Sequence, residues 1–176
     1  MNVNGYEIKP GADLSGANLK CADLTGANLF GANLFGANLE QANLFRANLY
    51  EANLSQATLS YSNLMRVNLT GAILKFVDAT DANLKEANLS FALLNDTNLS
   101  GASLRWANLM LADLERTNLS GANLELANLS GANLRCANLE NANLLGANLW
   151  SAELSQANIA LANFKFARMP DGNTQA

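Results

Sequence analysis

A leucine, or at a few places another residue, recurs every five residues from Leu14 to Met169, and no insertion or deletion shifts the frame. Alanine usually stands two positions before it, and asparagine or aspartate one position before it. An α-helix turns by about 100° per residue, so leucines at this spacing would point to every side of a helix. In a straight strand an odd spacing sends successive leucines to opposite faces. The period therefore predicts a chain that turns once per repeat and keeps alanine and leucine inside.

The repeat resembles the A(N/D)LXX motif of the pentapeptide-repeat family, in the Ala-Asn-Leu style of its many cyanobacterial members. The resemblance covers Ala12 to Met169 in about 32 consecutive units. It implies an all-β fold, a right-handed quadrilateral (four-sided) parallel β-helix of about eight coils. At about 4.8 Å per coil such a rod is about 38 Å long. We expect an N-terminal cap segment over 1–11, a single repeat domain over 12–169 and a mobile C-terminal tail over 170–176.

The repeat changes character in the stretch from Ser62 to Ala79. Val67 and Val77 replace the inward alanine there, and Ala79 replaces the inward leucine. Two interpretations remain open: the volumes compensate within a regular core, or the rod bends or carries a partner site.

A candidate interaction surface begins in the same stretch, where Ile73 and Leu93 occupy the normally polar position before the leucine. In a four-sided register they lie one coil apart on the same face, with Phe76 nearby. They are expected to form an exposed apolar strip, which is typical of an interface.

Aromatic residues at outward positions extend this candidate surface to the first coils. Phe30 and Tyr50 are expected to stack on one face, with Phe35 and Phe45 on the flanking faces. Exposed apolar patches indicate interfaces, but aromatic contacts between strands also stabilise open sheets, so both interpretations stand.

Two further features have structural interpretations. Phe164, Phe166 and Met169 are bulkier than the repeat average and predict either a cap or, as the family resemblance allows, an end-to-end dimer contact. The columns of asparagine predict ladders of hydrogen-bonded amides along the rod.

Composition argues against catalysis. Histidine is absent, so no imidazole serves as a base or a metal ligand. The repeat offers no loops for a cleft, and an interior filled by alanine and leucine is expected to be dry. We therefore predict a non-enzymatic protein without catalytic residues, cofactor or metal. Cys21 and Cys136 are separated by roughly 28 Å along the rod, too far for a disulfide, and are expected to be outward-facing thiols.

The predicted function is protein interaction or structural scaffolding with an unknown protein partner, as a monomer or an end-to-end homodimer. No apolar run approaches the roughly 20 residues of a membrane span, and no signal peptide is apparent, so a cytoplasmic location is expected.

An alternative comes from the family, some of whose members mimic DNA and inhibit or protect type II topoisomerases. Duplex DNA carries about one charge per 1.7 Å, so a rod of this length would match roughly 22 negative charges. The chain has a net charge of −4, with fifteen acidic and eleven basic residues. This charge favours a scaffold over a DNA mimic, and nucleic acid is not an expected partner.

Overall fold

The computed structural model describes residues 1–175, in which each repeat forms one side of a four-sided coil. Parallel β-bridges join the residue before each leucine to its equivalent twenty residues later, from Asp13 with Asn33 to Asn148 with Arg168. The predicted right-handed quadrilateral β-helix is confirmed. We number the coils from coil 1 (residues 12–31) to coil 8 (152–171). The faces are numbered 1 to 4 after Leu14, Leu19, Leu24 and Leu29 of the first coil.

Continuous strands occur in the described residues only ahead of the rod. Strands β1 (Asn2–Val3) and β2 (Tyr6–Glu7) pair as an antiparallel hairpin. Ile8 is 4% exposed, and Val3 and Tyr6 pack partly buried against the core. Within residues 1–175 the coils contribute isolated bridges rather than longer strands, and no helix is present.

Each repeat has five backbone N–H groups that need acceptors, and the side-chain oxygen of its asparagine accepts from one of them. In the repeat 122–126 the first, second, third and fifth N–H groups donate to backbone carbonyls at 2.7 to 3.0 Å. The fourth, that of Glu125, donates instead to Oδ1 of Asn123 at 3.1 Å. Asparagine or aspartate therefore recurs because its side chain completes the hydrogen bonding of the corner.

The last residue of each repeat turns the corner in the left-handed region. Gly26 has φ +65°, and Phe91 has φ +60°. A non-glycine residue in this conformation costs about 1 kcal/mol, which explains why glycine recurs at this position. The sequence analysis did not predict this conformation, although the recurrent glycine was visible.

The core continues unchanged through the stretch from Ser62 to Ala79. Val67, Val77 and Ala79 are 1%, 1% and 2% exposed. The backbone β-bridge between Ile73 and Leu93 continues the column of β-bridges on face 1 through this stretch. The core therefore stays buried and the β-bridges stay in register through this stretch, which agrees with compensating volumes and leaves the partner-site interpretation open.

The C-terminal tail differs from the expectation that it is mobile. Thr174 forms an antiparallel bridge with Arg168, and the Gln175 N–H donates to the Ala167 carbonyl at 3.0 Å. The Phe166 N–H donates in turn to the Gln175 carbonyl at 2.9 Å. Residues 171–175 thus fold back on the last coil because they supply partners that no further coil supplies. Ala176 lies outside the described residues.

Candidate interaction surface

Hydrogen-bonded amides run along the outside of the rod, as predicted. Nδ2 of Asn128 donates to Oδ1 of Asn108 at 3.2 Å, and Nδ2 of Asn148 donates to Oδ1 of Asn128 at 3.2 Å. Oδ1 of Asn128 also accepts the Ser130 N–H at 3.2 Å. Each asparagine therefore supports both its own corner and the stacking of coils.

Aspartate occupies the position before leucine where the preceding coil has no asparagine at the equivalent position. An ionised aspartate accepts hydrogen bonds but donates none, so it serves only at the start of a ladder. Asp113, for example, follows Leu93 by one coil and accepts Nδ2 of Asn133 at 2.8 Å. The aspartates that begin or restart a ladder are Asp13, Asp23, Asp78 and Asp113.

Donated hydrogen bonds lower the pKa of three ladder aspartates, Asp13, Asp23 and Asp78. The Thr25 hydroxyl, at 2.6 Å, and the Thr25 N–H, at 3.1 Å, lower the pKa of Asp23 from its usual value. Partial burial acts to raise the pKa of Asp78, but hydrogen bonds from neighbouring hydroxyl, backbone and amide donors outweigh it, and the net shift is downward.

Acid is expected to destabilise the rod because of these shifts. A carboxyl group whose folded pKa is lowered contributes stability above its unfolded pKa, about 3.9 for aspartate, and loses it as the pH falls through the folded pKa. Thermal melts between about pH 6 and pH 2 should therefore show a fall in Tm below about pH 4. Asp23→Asn keeps the acceptor without the charge, so a fall as steep in the variant as in the wild type would contradict this assignment.

Ile73 and Leu93 interrupt one ladder on face 1. They bridge each other and are half-buried, so the predicted apolar strip is only partly exposed. Lys75 and Asn95 lie at the corners that follow Ile73 and Leu93. Within residues 1–175, their backbone N–H groups have no side-chain acceptor. Phe76, at the same edge, is 59% exposed. We call Ile73, Phe76 and Leu93 the apolar strip.

The structure distributes the N-terminal aromatic residues over three edges. Phe30 and Tyr50 stack with ring centroids 5.6 Å apart and planes 7° apart. Phe35 lies on the next edge, and Phe45 lies on a third edge with the Arg46 guanidinium 5.0 Å from its ring centroid. The seven residues predicted as one interaction surface therefore do not form one continuous patch.

The four edges of the rod differ in charge, which the five-residue repeat does not predict. The edge that follows face 4 carries one ionisable carboxylate, that of Glu51, through the first seven coils, while the other three edges carry several charges each. We call it the charge-poor edge. Its residues are Phe30, Gly31, Tyr50, Glu51, Thr70, Gly71, Ser90, Phe91, Met110, Leu111, Ser130, Gly131, Trp150 and Ser151.

A groove of about 290 Å³ interrupts the charge-poor edge. Gly131 and Ser130 form its floor, and Leu111 and Trp150, which are 51% and 49% exposed, flank it. Phe91, one coil before Leu111, is 53% exposed. The edge thus presents apolar protrusions beside a depression, which a chain of uniform small residues would not form.

Within residues 1–175, four ion pairs join charges of adjacent coils on the other edges. Nε of Arg66 lies 2.6 Å from Oε2 of Glu86, and Nη2 of Arg105 lies 2.9 Å from Oε1 of Glu125. Such exposed pairs contribute about 0 to 1 kcal/mol each. On the edge that follows face 3, Glu86 and Glu125 thus offset the charges of Arg66 and Arg105.

The predicted cap residues meet an open end of the core. Phe164 and Met169 are half-buried against the core, whereas Phe166 is 59% exposed. Phe164 and Met169 also line a depression of about 420 Å³. Ile159 and Leu161, in the same coil, are 49% and 82% exposed. The last coil thus exposes Ile159 at the inward position that preceding coils bury, whereas Leu161 lies at an outward corner.

The described residues show no arrangement typical of a metal centre. No group of three or more histidine, cysteine, aspartate or glutamate residues in the described part is placed to hold a metal ion. Cys21 and Cys136 are free and exposed at corners, as predicted. No helix within residues 1–175 has the length and apolarity that crossing a membrane requires.

Comparison with known proteins supports the assignment of the repeat. The family of pentapeptide repeats matches in eight copies over residues 11–45, 47–85, 82–109, 107–144 and 137–172. HetL, a pentapeptide repeat protein involved in heterocyst differentiation regulation from the cyanobacterium Nostoc sp. strain PCC 7120, is 34% identical. It aligns over 94% of this chain and 80% of its own, with a TM-score of 0.68.

A second solved structure shares the fold at lower identity. QnrB1, a plasmid-mediated fluoroquinolone resistance protein, is 22% identical in the form of a trypsin-treated variant. It covers 87% of this chain and 84% of its own, with a TM-score of 0.71. No functionally curated protein matches the sequence.

Proposed function

This chain belongs to the pentapeptide repeat family, and we propose that it acts without catalysis, as a rod that binds a protein partner through the apolar strip on face 1. The observation that carries the proposal is the break in the ladder at Ile73 and Leu93. Two adjacent coils there exchange the asparagine that completes their corners for a large apolar side chain.

Replacing asparagine by an apolar residue leaves a backbone N–H group without an acceptor. This cost suggests that Ile73 and Leu93 serve a function. Among the described residues, the N–H groups of Lys75 and Asn95 lack the side-chain acceptor that caps most corners. Those of Ser60 and Arg105, which follow Thr58 and Ser103, lack it too. Oδ1 of Asn95 is buried without a hydrogen-bond partner, and the residue is 8% exposed. An apolar partner seated on the strip would cover Ile73, Leu93 and the exposed ring of Phe76, whose burial favours binding.

The double variant Ile73→Asn, Leu93→Asn tests this proposal because it extends the ladder from Asn53 to position 93, ahead of the new start at Asp113. We expect it to fold with a Tm at least equal to that of the wild type, since the restored amides cap two corners. In affinity capture from an extract of the native cell, with mass spectrometry, a partner held by the wild type should be lost at least tenfold in the variant.

A matched control keeps the strip and changes another face. Ser120→Asn alters a half-buried polar corner on face 2 and should retain the partner. Equal capture by the ladder-restored variant would contradict the proposal. A catalytic turnover that disappears when a surface carboxylate is changed would contradict the non-enzymatic assignment.

The alternative function, inhibition or protection of a type II topoisomerase, has weaker support. The similarity to QnrB1 concerns the fold, and the acids of this rod are largely matched by bases, with a net charge of −4. A DNA-supercoiling assay with purified gyrase separates the two proposals, because inhibition or quinolone protection by this protein would favour the alternative. For either function we propose a cytoplasmic location.

A further inference from the structure

The charge-poor edge has the composition of a protein interface. Interface centres are depleted of charged residues and enriched in aromatic residues and methionine. This edge combines Phe91, Met110 and Trp150 with a single carboxylate through seven coils. It forms the corner that leads into face 1 and so borders the apolar strip, but Phe91, Met110 and Trp150 are not part of that strip.

Large and small residues alternate along this edge in a self-complementary order. Coils 4, 5 and 7 present Phe91, Leu111 and Trp150, whereas coils 3 and 6 present Gly71 and Gly131. In two identical rods that lie side by side and antiparallel, with the two-fold axis at coil 5, coil 4 faces coil 6 and coil 7 faces coil 3. Phe91 then faces Gly131 and Trp150 faces Gly71, whereas Leu111 at coil 5 faces its own equivalent, because both rods have the same spacing between coils.

We propose that a second copy of this chain binds the charge-poor edge in this antiparallel, side-by-side register. The exposed ring of Phe91 enters the groove of about 290 Å³ over Gly131 of the second copy. Leu111 packs against its own equivalent at the two-fold axis. The sequence predicts a monomer or an end-to-end dimer, and the edge points to a different pairing.

The few charges near the edge are compatible with this register. Glu51 leans over Gly71, where its Cγ would lie 3.5 Å from an added Cβ. Trp150 of the second copy faces Gly71 and carries the Arg168 guanidinium 5.2 Å from its ring centroid. Opposite coil 2 lies coil 8 of the second copy, which contains both Arg168 and Asp171, so the Glu51 carboxylate meets one charge of each sign.

The area buried between the two copies sets the expected affinity of the dimer. Seven coils at about 4.8 Å give an edge about 34 Å long. A contact of this length and a few side chains in width buries on the order of 1,000 Å² in total, the lower limit for a specific interface. The dimer should therefore be weak and visible only at high concentration.

Sedimentation velocity from about 5 to about 300 µM tests the association. The wild type should shift from monomer to dimer as the concentration rises, and Phe91→Asp should weaken the dimer at least tenfold. Phe91→Asp should fold normally, because Asp81 and Asp96 already occupy the same left-handed corner position, with φ +54° and +59°.

Phe76→Asp is a matched control on a neighbouring edge. Phe76 and Phe91 share φ +60° and are 59% and 53% exposed. Phe76→Asp should associate as the wild type does. A wild type that stays monomeric at every concentration, or a Phe91→Asp variant that associates as strongly as the wild type, would overturn the proposal. End-to-end pairing would give the second result.

Cysteine crosslinking tests the register. In a Cys21→Ser, Cys136→Ser background, Leu111→Cys should form a disulfide-linked dimer under diamide, because this position lies at the two-fold axis. Leu126→Cys is the control, since both leucines are 51% exposed with φ +57° and each leans over the glycine of the next coil. Crosslinking no faster for Leu111→Cys than for Leu126→Cys would overturn the register.

Discussion

Replacing Leu119 by lysine is expected to lower the free energy of unfolding by about 4 to 5 kcal/mol. Leu119 is fully buried, between Leu99 and Leu139 of the adjacent coils. An ammonium group there has no charge partner, and the stem of the side chain cannot reach solvent from the middle of the rod. Because each coil contacts chiefly its neighbours, the damage should propagate to the adjacent coils first.

Urea denaturation followed by circular dichroism measures this effect. We expect a lower midpoint and a reduced m-value, because the central coils are already open before the main transition. The matched control is Ser120→Lys, one position later, where Lys20, at the equivalent position of the same face, already points outward. This variant should stay within about 0.5 kcal/mol of the wild type. Equal destabilisation by the two lysines would mean that the inside and outside of the repeat are misassigned.

Replacing Asn128 by alanine is expected to cost about 2 kcal/mol, a large effect for a half-buried residue on the outside of a rod. The Oδ1 atom of Asn128 accepts the Ser130 N–H and Nδ2 of Asn148, and its Nδ2 donates to Asn108. Oδ1 of Asn128 also accepts the Ser130 hydroxyl at 2.8 Å. Alanine removes all four bonds and leaves the corner at Ser130 without its cap. Chemical denaturation at pH 7 provides the measurement.

Asn128→Asp separates the two roles of the amide. Aspartate keeps the acceptor for the Ser130 N–H and for Asn148, but it donates nothing to Asn108. We expect a loss of about 1 kcal/mol, half that of the alanine variant. If alanine proved no worse than aspartate, the side chain would not be part of the hydrogen bonding of the corner.

The period of the sequence predicts most of the fold because it assigns an environment to each repeat position. The inward direction of Leu14 through Leu154 follows from geometry alone, since no helix or straight strand keeps residues five apart on one side. The amide ladder also follows, because asparagine recurs in register. The number of sides and the handedness came from the family resemblance, and the structure confirms both.

Other features depend on side-chain size and on relations between coils, which a five-residue period does not describe. The charge-poor edge is visible only when every fourth corner is compared, and the groove over Gly131 exists because Leu111 and Trp150 stand on either side of it. The tail was predicted to be mobile because it lacks the repeat, yet residues up to Gln175 pair with backbone groups of coil 8. The sequence already predicts that the N-terminal aromatic residues lie on one face and its two flanks, and the structure adds the stacking of Phe30 on Tyr50 and the partial burial of Ile73 and Leu93.

Amide hydrogen exchange at two lysines tests most directly the claim that the asparagine side chain completes each corner and that the apolar strip lacks this support. Lys75 and Lys85 occupy the same repeat position and are both half-buried, but the Lys85 N–H donates to Oδ1 of Asn83 at 3.2 Å, whereas Lys75 follows Ile73. The Lys75 amide should exchange at least about tenfold faster than the Lys85 amide, and Ile73→Asn should slow it to the Lys85 rate. Equal protection of the two amides in the wild type would contradict the claim.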